Sequence, residues 1–171
     1  MTDTPSGRYP DLLPIRATLT EAGWYPGRHV NARGWVDALT NDGYRVSAAA
    51  ERILAEFGGL TVAPPFRAGA AYGPCGLAFV PLQEHVGEQP RIADREAQLG
   101  RSLCPIGEWC DGEYMLLVAD DGHVYGETTF QVLDLGPSLA HALHNIIVRD
   151  RPLLDITDTL PGEKPNPASA V

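Results

Sequence analysis

The side chains with which this chain could do chemistry are three cysteines, five histidines and a run of carboxylates. Cys104 and Cys110 stand six positions apart, and His141 and His144 sit three apart on one stretch. Structural zinc takes more closely spaced cysteine pairs, so this spacing argues against a metal. The two histidines lie opposite an apolar stripe and read as surface residues. Cys75, in Gly-Pro-Cys-Gly at 73–76, would be a reactive thiol only beside a cation or a helix N-terminus, and neither is evident. It is expected to be a small buried apolar residue. A glycine-rich phosphate loop is missing, because the sole lysine, Lys164, lies near the C-terminus. The His-x-Glu with Pro-Cys-x-x-Cys of zinc deaminases and the Gly-x-Ser-x-Gly elbow of hydrolases are missing too. Asp120 and Asp121, the adjacent carboxylates, precede Gly122 and suit a turn better than acid–base work. The reading is a non-enzyme with no catalytic residue, no metal ligand and no cofactor.

The carboxylates are informative as a group. The 171 residues carry a net charge of −9, which speaks against a nucleic-acid partner. Residues 1–101 hold ten arginines against eleven acids, whereas 102–171 hold three basic residues against eleven acids. Between Arg101 and Arg149 there is no Lys or Arg at all, while Glu108, Asp111, Glu113, Asp120, Asp121, Glu127 and Asp134 fall in that gap. Either this is a solvated acidic surface or it is a docking face for a basic partner. Trp109 stands among the acids and offers an aromatic anchor beside complementary charge.

Such side chains need elements to hold them. Ile15, Leu19 and Ala22 share one face of a helix expected over 13–22, with Pro14 in its first turn and Gly23 behind it. Ala32, Trp35, Val36 and Leu39 mark a second helix, with Asn31 as N-cap and Asn-Asp-Gly at 41–43 as its stop. A third carries Ala50, Ile53, Leu54 and Phe57 between Ser47 and the pair Gly58 and Gly59. Short apolar runs at 60–63 and 77–80 read as strands, and 91–100 as a polar helix. Residues 113–119 and 123–126 read as a hairpin turning at Asp120, Asp121 and Gly122, and 129–133 as a further strand. A last helix follows Ser138, with Leu139, Ala142, Leu143, Ile146 and Ile147 on one face. Helices, then strands, then a helix predict one α+β domain rather than a doubly wound sheet.

The expected core is Trp35, Leu39, Ile53, Leu54, Phe57, Leu116, Val118, Leu143, Ile146 and Ile147. Residues 1–9 and 157–171 read as disordered ends around a folded domain at 10–156. The odd cysteine count predicts a fold that rests on neither disulfide nor metal, in a reducing cytoplasm. No stretch approaches the ~20 apolar residues of a membrane span, and no export signal is visible, so no membrane partner is expected.

Five strings carry a resemblance: GWYPGR at 23–28, the helix with Trp35, AAAERILAEFGGL at 48–60, CPIGEW at 104–109 and DGEYMLLVADDGHVYG at 111–126. In that order they resemble the third family of the SUKH superfamily, from about residue 12 to residue 147. The superfamily comprises bacterial immunity proteins and includes a yeast cell-wall-synthesis regulator. The resemblance implies an antiparallel-rich sheet with helices packed around it. It also implies a cytoplasmic protein of a polymorphic toxin system that neutralises a cognate toxin by non-catalytic binding. Such a toxin is expected to present a basic surface, with Glu108, Trp109, Asp111, Glu113, Asp120 and Asp121 as the contact residues. Gly23, Trp24, Pro26, Gly27, Arg28, Gly58 and Gly59 are read as fold-defining residues of the family motif. The alternative is a regulatory or scaffolding module without a toxin, since a fold does not fix a function.

Overall fold

The computed structural model describes residues 10–81 and 86–162. The N-terminal segment 1–9 and residues 163–171 of the tail lie outside the described residues. Pro14 lacks the N–H that an α-helix would use, and the described residues open on a 3-10 helix over Pro10–Ile15. The α-helix α1 (Arg16–Glu21) starts only beyond it, later than the periodicity predicts. Asn31 then accepts from the Arg33 N–H at 3.0 Å to open α2 (Arg33–Asn41). Ser47 Oγ accepts from the Ala50 N–H at 3.2 Å to cap α3 (Ala48–Phe57), and Gly59, at φ +79°, turns the chain away.

Two short strands follow, β1 (Thr61–Val62) and β2 (Leu77–Ala78), then α4 (Gln89–Leu99). The main β region is β3 (Leu103–Trp109), β4 (Tyr114–Ala119), β5 (Val124–Glu127) and β6 (Val132–Gly136). Helix α5 (Leu139–Val148), capped by Ser138, and β7 (Leu154–Asp155) complete it. The strands form one antiparallel sheet of seven in chain order, each paired with its neighbour in sequence. Helix α3 packs on β3 and β4, and α5 on β5 and β6. This is a single α+β domain, as the order of elements predicts. Every residue of the expected core is buried except Trp35, which is half-buried against it.

Four expectations need correction. Strand β3 stands where the sequence pattern marks none, because Pro105 and Gly107 interrupt its apolar run. Pro105 is tolerated where β3 pairs only with β4: β2 reaches only Glu108 and Trp109, and a bulge falls between Pro105 and Gly107. The strand expected over 129–133 starts three residues later, because Thr128 Oγ1 accepts from the N–H groups of Phe130 and Gln131 and bends that stretch into a turn. Order persists past residue 156. Thr157 is buried with its Oγ1 accepting from the Val132 N–H at 2.8 Å, and Leu160 is buried as well.

The fourth correction concerns the cysteines. Cys75 and Cys110 are joined in a disulfide, and both are half-buried, so Cys75 is neither a free thiol nor a simple apolar filler. Pairing across 35 residues leaves no mark in local sequence. An odd count left room for one bond, and the bonded pair removes the support that the count lent to a reducing compartment. Closing a loop of that length stabilises a fold by ~2–4 kcal/mol. Dithiothreitol, or Cys75→Ser, is therefore expected to lower the free energy of urea unfolding by about that amount; an unchanged midpoint would show that the bond contributes nothing.

Candidate functional site

The stretch at 23–28 packs on the C-terminal end of α3. Trp24 is buried, lies alongside the Phe57 ring at 6.2 Å, and donates its indole N–H to Glu56 Oε1 at 3.1 Å. Arg28 donates through Nη1 to the Glu56 carbonyl at 2.5 Å and through Nη2 to the Gly58 carbonyl at 2.9 Å. A cation at that position satisfies carbonyls the last helical turn leaves open and complements the helix dipole. Gly58 has no room for a side chain, since a Cβ would lie 2.4 Å from the Trp35 ring and 2.3 Å from the Leu54 carbonyl oxygen. Gly23 and Gly27 hold positive φ on either side of Trp24 and Pro26. Trp24 and Arg28 thus face the end of α3, whereas Gly23, Tyr25, Pro26 and Gly27 are exposed.

The acidic residues do not form one patch. Asp111 and Glu113 occupy the β3–β4 turn, whereas Asp120 and Asp121 occupy the β4–β5 turn, at opposite ends of β4. Six extended residues separate them by roughly 20 Å. Asp121 Oδ2 lies 2.7 Å from Arg101 Nη1, and Asp134 Oδ1 2.7 Å from His123 Nε2. Glu127 is buried and pairs with Arg91 and Arg95 of α4. Glu108 is half-buried, with Oε2 enclosed and lacking a hydrogen-bond partner among the described residues. Trp109 is only 3% exposed, with Tyr72 edge-on at 6.2 Å and Tyr114 at 5.0 Å. It is a wall of the protein's own interior and not the free anchor expected from its acidic neighbours. Trp109 ends β3, a strand buried along nearly its whole length, and β3 is not legible as a strand in the sequence.

What remains is a narrower feature. Cys110, Asp111 and Gly112 all adopt left-handed backbone conformations, with φ of +57°, +55° and +85°. Two of them are not glycine, which carries strain of roughly 1–2 kcal/mol per residue. The disulfide to Cys75 and the bond from the Cys110 N–H to the Gly76 carbonyl at 2.9 Å hold the turn in that shape. It presents Asp111 and Glu113 to solvent with no ion-pair partner among the described residues. On one side lies an apolar groove of about 500 Å³ between Tyr72, Pro74, Trp109, Tyr114 and Leu153. On the other lies a polar cleft of about 360 Å³ between Glu88, Arg91, Glu127, Thr128 and Phe130. Glu113 lines both.

The remaining candidates for chemistry stand apart. Cys104 is buried, and burial, with Glu96 nearby, pushes its thiol up to about 12, far from a reactive thiolate. His141 is exposed against Ser138, and His144 Nε2 lies 3.4 Å from Asp150. Among the described residues no three His, Cys, Asp or Glu side chains gather as metal ligands. No helix among them is long and apolar enough to cross a membrane.

No curated protein and no solved structure matches the chain. A family model does: that of the SUKH-3 immunity protein, over residues 13–149. The match takes in α1 to α5, the motif at the end of α3 and the disulfide-held turn, and by its extent the chain belongs to the SUKH-3 immunity protein family.

Proposed function

We propose that the protein neutralises a cognate toxin by covering a basic surface of it, without modifying it, inside the cell that makes both. Family membership supports an immunity role, and the observation that carries the mode of action is the β3–β4 turn. Its carboxylates, Asp111 and Glu113, are exposed and have no ion-pair partner among the described residues, they are held in place before any partner arrives, and apolar surface lies beside them. A pre-ordered turn loses little entropy on binding, and exposed carboxylates steer a cationic partner during encounter. Inhibition by occupation needs no catalytic group.

The test is co-expression of the toxin encoded beside this protein with wild type or with Asp111→Lys/Glu113→Lys. Glu108 is left intact because its enclosed oxygen makes reversal a risk to the fold. The double variant is expected to associate at least about tenfold more slowly at low salt, with a flatter salt dependence, and to protect cells poorly. Full protection at an unchanged on-rate, from a folded variant, would place the contact on another face.

A further inference from the structure

The groove beside the turn has a composition that selects its occupant. Its walls are the loop at 71–75, the β3–β4 turn and the stretch after α5 at Pro152 and Leu153, over Trp109, Tyr114 and Leu133. Glu113 is the one charged residue among those that line it, whereas the neighbouring cleft mixes Arg91 with Glu88 and Glu127. Its negative field does not come from Glu113 alone. Gln131 links the Tyr114 hydroxyl, at 2.6 Å, to Asp155 Oδ2, at 2.6 Å. Burial first, and then the charges of Glu113 and Asp155, push the Tyr114 phenol above its ordinary value.

The walls are fixed by bonds that reach across the fold. The Tyr72 hydroxyl donates to the Asn145 carbonyl at 2.5 Å, the Ala71 N–H to the Arg149 carbonyl at 2.8 Å, and Arg149 Nη2 to the Pro65 carbonyl at 2.7 Å. The disulfide ties the same loop to the opposite wall. The groove is therefore formed without its ligand, and at about 500 Å³ it exceeds what a lone small cation fills.

Flat aromatic and proline surfaces beside a carboxylate suit a guanidinium, which stacks through its face and pairs through its edge; a lysine ammonium is a hydrated point charge with neither a flat face nor a fork, and suits them less well. We propose that this groove takes an arginine side chain and its apolar neighbours from an extended segment of the partner protein, with Glu113 as the pairing carboxylate. This rests on the reading of the turn as the toxin-binding face.

The test uses the full chain and synthetic peptides, independently of any toxin. Acetyl-Gly-Leu-Arg-Leu-Gly-amide is titrated into ¹⁵N-labelled protein, alongside versions with Lys, Glu or citrulline in place of Arg. The expected result is a shift of the Trp109 indole N–H and of the amides of Gly73, Glu113 and Leu153 with the arginine peptide. Lysine should bind more weakly, and glutamate and citrulline should leave the spectrum unchanged. Glu113→Gln should weaken arginine-peptide binding roughly fivefold, with the Trp24 and Trp35 indole signals unmoved as evidence of an intact fold. Equal binding of the citrulline peptide, shifts confined to another surface, or no shift at millimolar peptide would each overturn the proposal. Concentration-dependent broadening at these residues without peptide would also overturn it, by giving the groove to a second copy of the chain. If peptides fail while co-expression still protects, the toxin uses another face; if they bind while co-expression fails, the groove stands and the immunity reading falls.

Discussion

Glu127→Ala is expected to destabilise the protein by ~3–5 kcal/mol, the loss typical of breaking a buried ion pair from one side. Glu127, at the end of β5, is 1% exposed and hydrogen-bonded to Arg91 Nη1, with Arg95 Nε at 3.3 Å. Arg91 Nε also bonds Glu88 at 2.6 Å, and Arg95 Nη2 the Thr129 carbonyl at 3.2 Å. Through this cluster α4 is attached to the end of β5, so truncation would take a hydrogen-bonded carboxylate away from Arg91 and from the buried Arg95. Burial pushes the Glu127 carboxyl above its ordinary value, and the two guanidiniums oppose that shift without cancelling it. A carboxyl with a raised folded pKa contributes its stability below the unfolded value and loses it as pH rises through the folded one. Glu127 itself therefore does not drive acid unfolding. Urea unfolding at neutral pH measures the loss. A loss under ~1 kcal/mol in this variant would mean that the cluster is solvated in practice.

Trp24→Ala is expected to lose ~3–5 kcal/mol, as large aromatic truncations in a core do, while Tyr25→Ala stays within about 0.5 kcal/mol of wild type. The neighbours differ in burial, 6% exposed against 58%. Removing the indole opens the stack against Phe57 and takes away the donor to the enclosed Glu56 carboxylate. Equilibrium denaturation distinguishes the two variants. Comparable small losses in both would mean that the packing of Trp24 on the end of α3 contributes little to stability.

The helices were legible because their signals are local. Ser47 and Ser138 cap, Gly59 turns the chain, and the apolar faces of α3 and α5 repeat at helical spacing over ten residues each. The role of Trp109 was not legible, because whether it faces in or out depends on the register of β3 with β4, and Pro105 hid the strand that sets it. Glu127 looked like one more surface acid because its partners, Arg91 and Arg95, lie more than thirty residues earlier on a helix whose placement no local pattern gives. The charge asymmetry is real in the sequence. The fold neutralises part of it and divides the rest between two turns, and the function proposed above uses the β3–β4 end alone.

A sheet in strict chain order has a consequence for how the protein comes into being. Each strand's partner is the one the ribosome made just before it or makes just after it, and α4 and α5 are inserted between neighbours in the sheet, not between distant strands. The sheet can thus be extended in the order of synthesis, without a strand waiting exposed for a partner from the far end of the chain. Cys110 emerges with β3, after Cys75 has already left with the loop before β2, so the β3–β4 turn can be tied down before β5 to β7 exist.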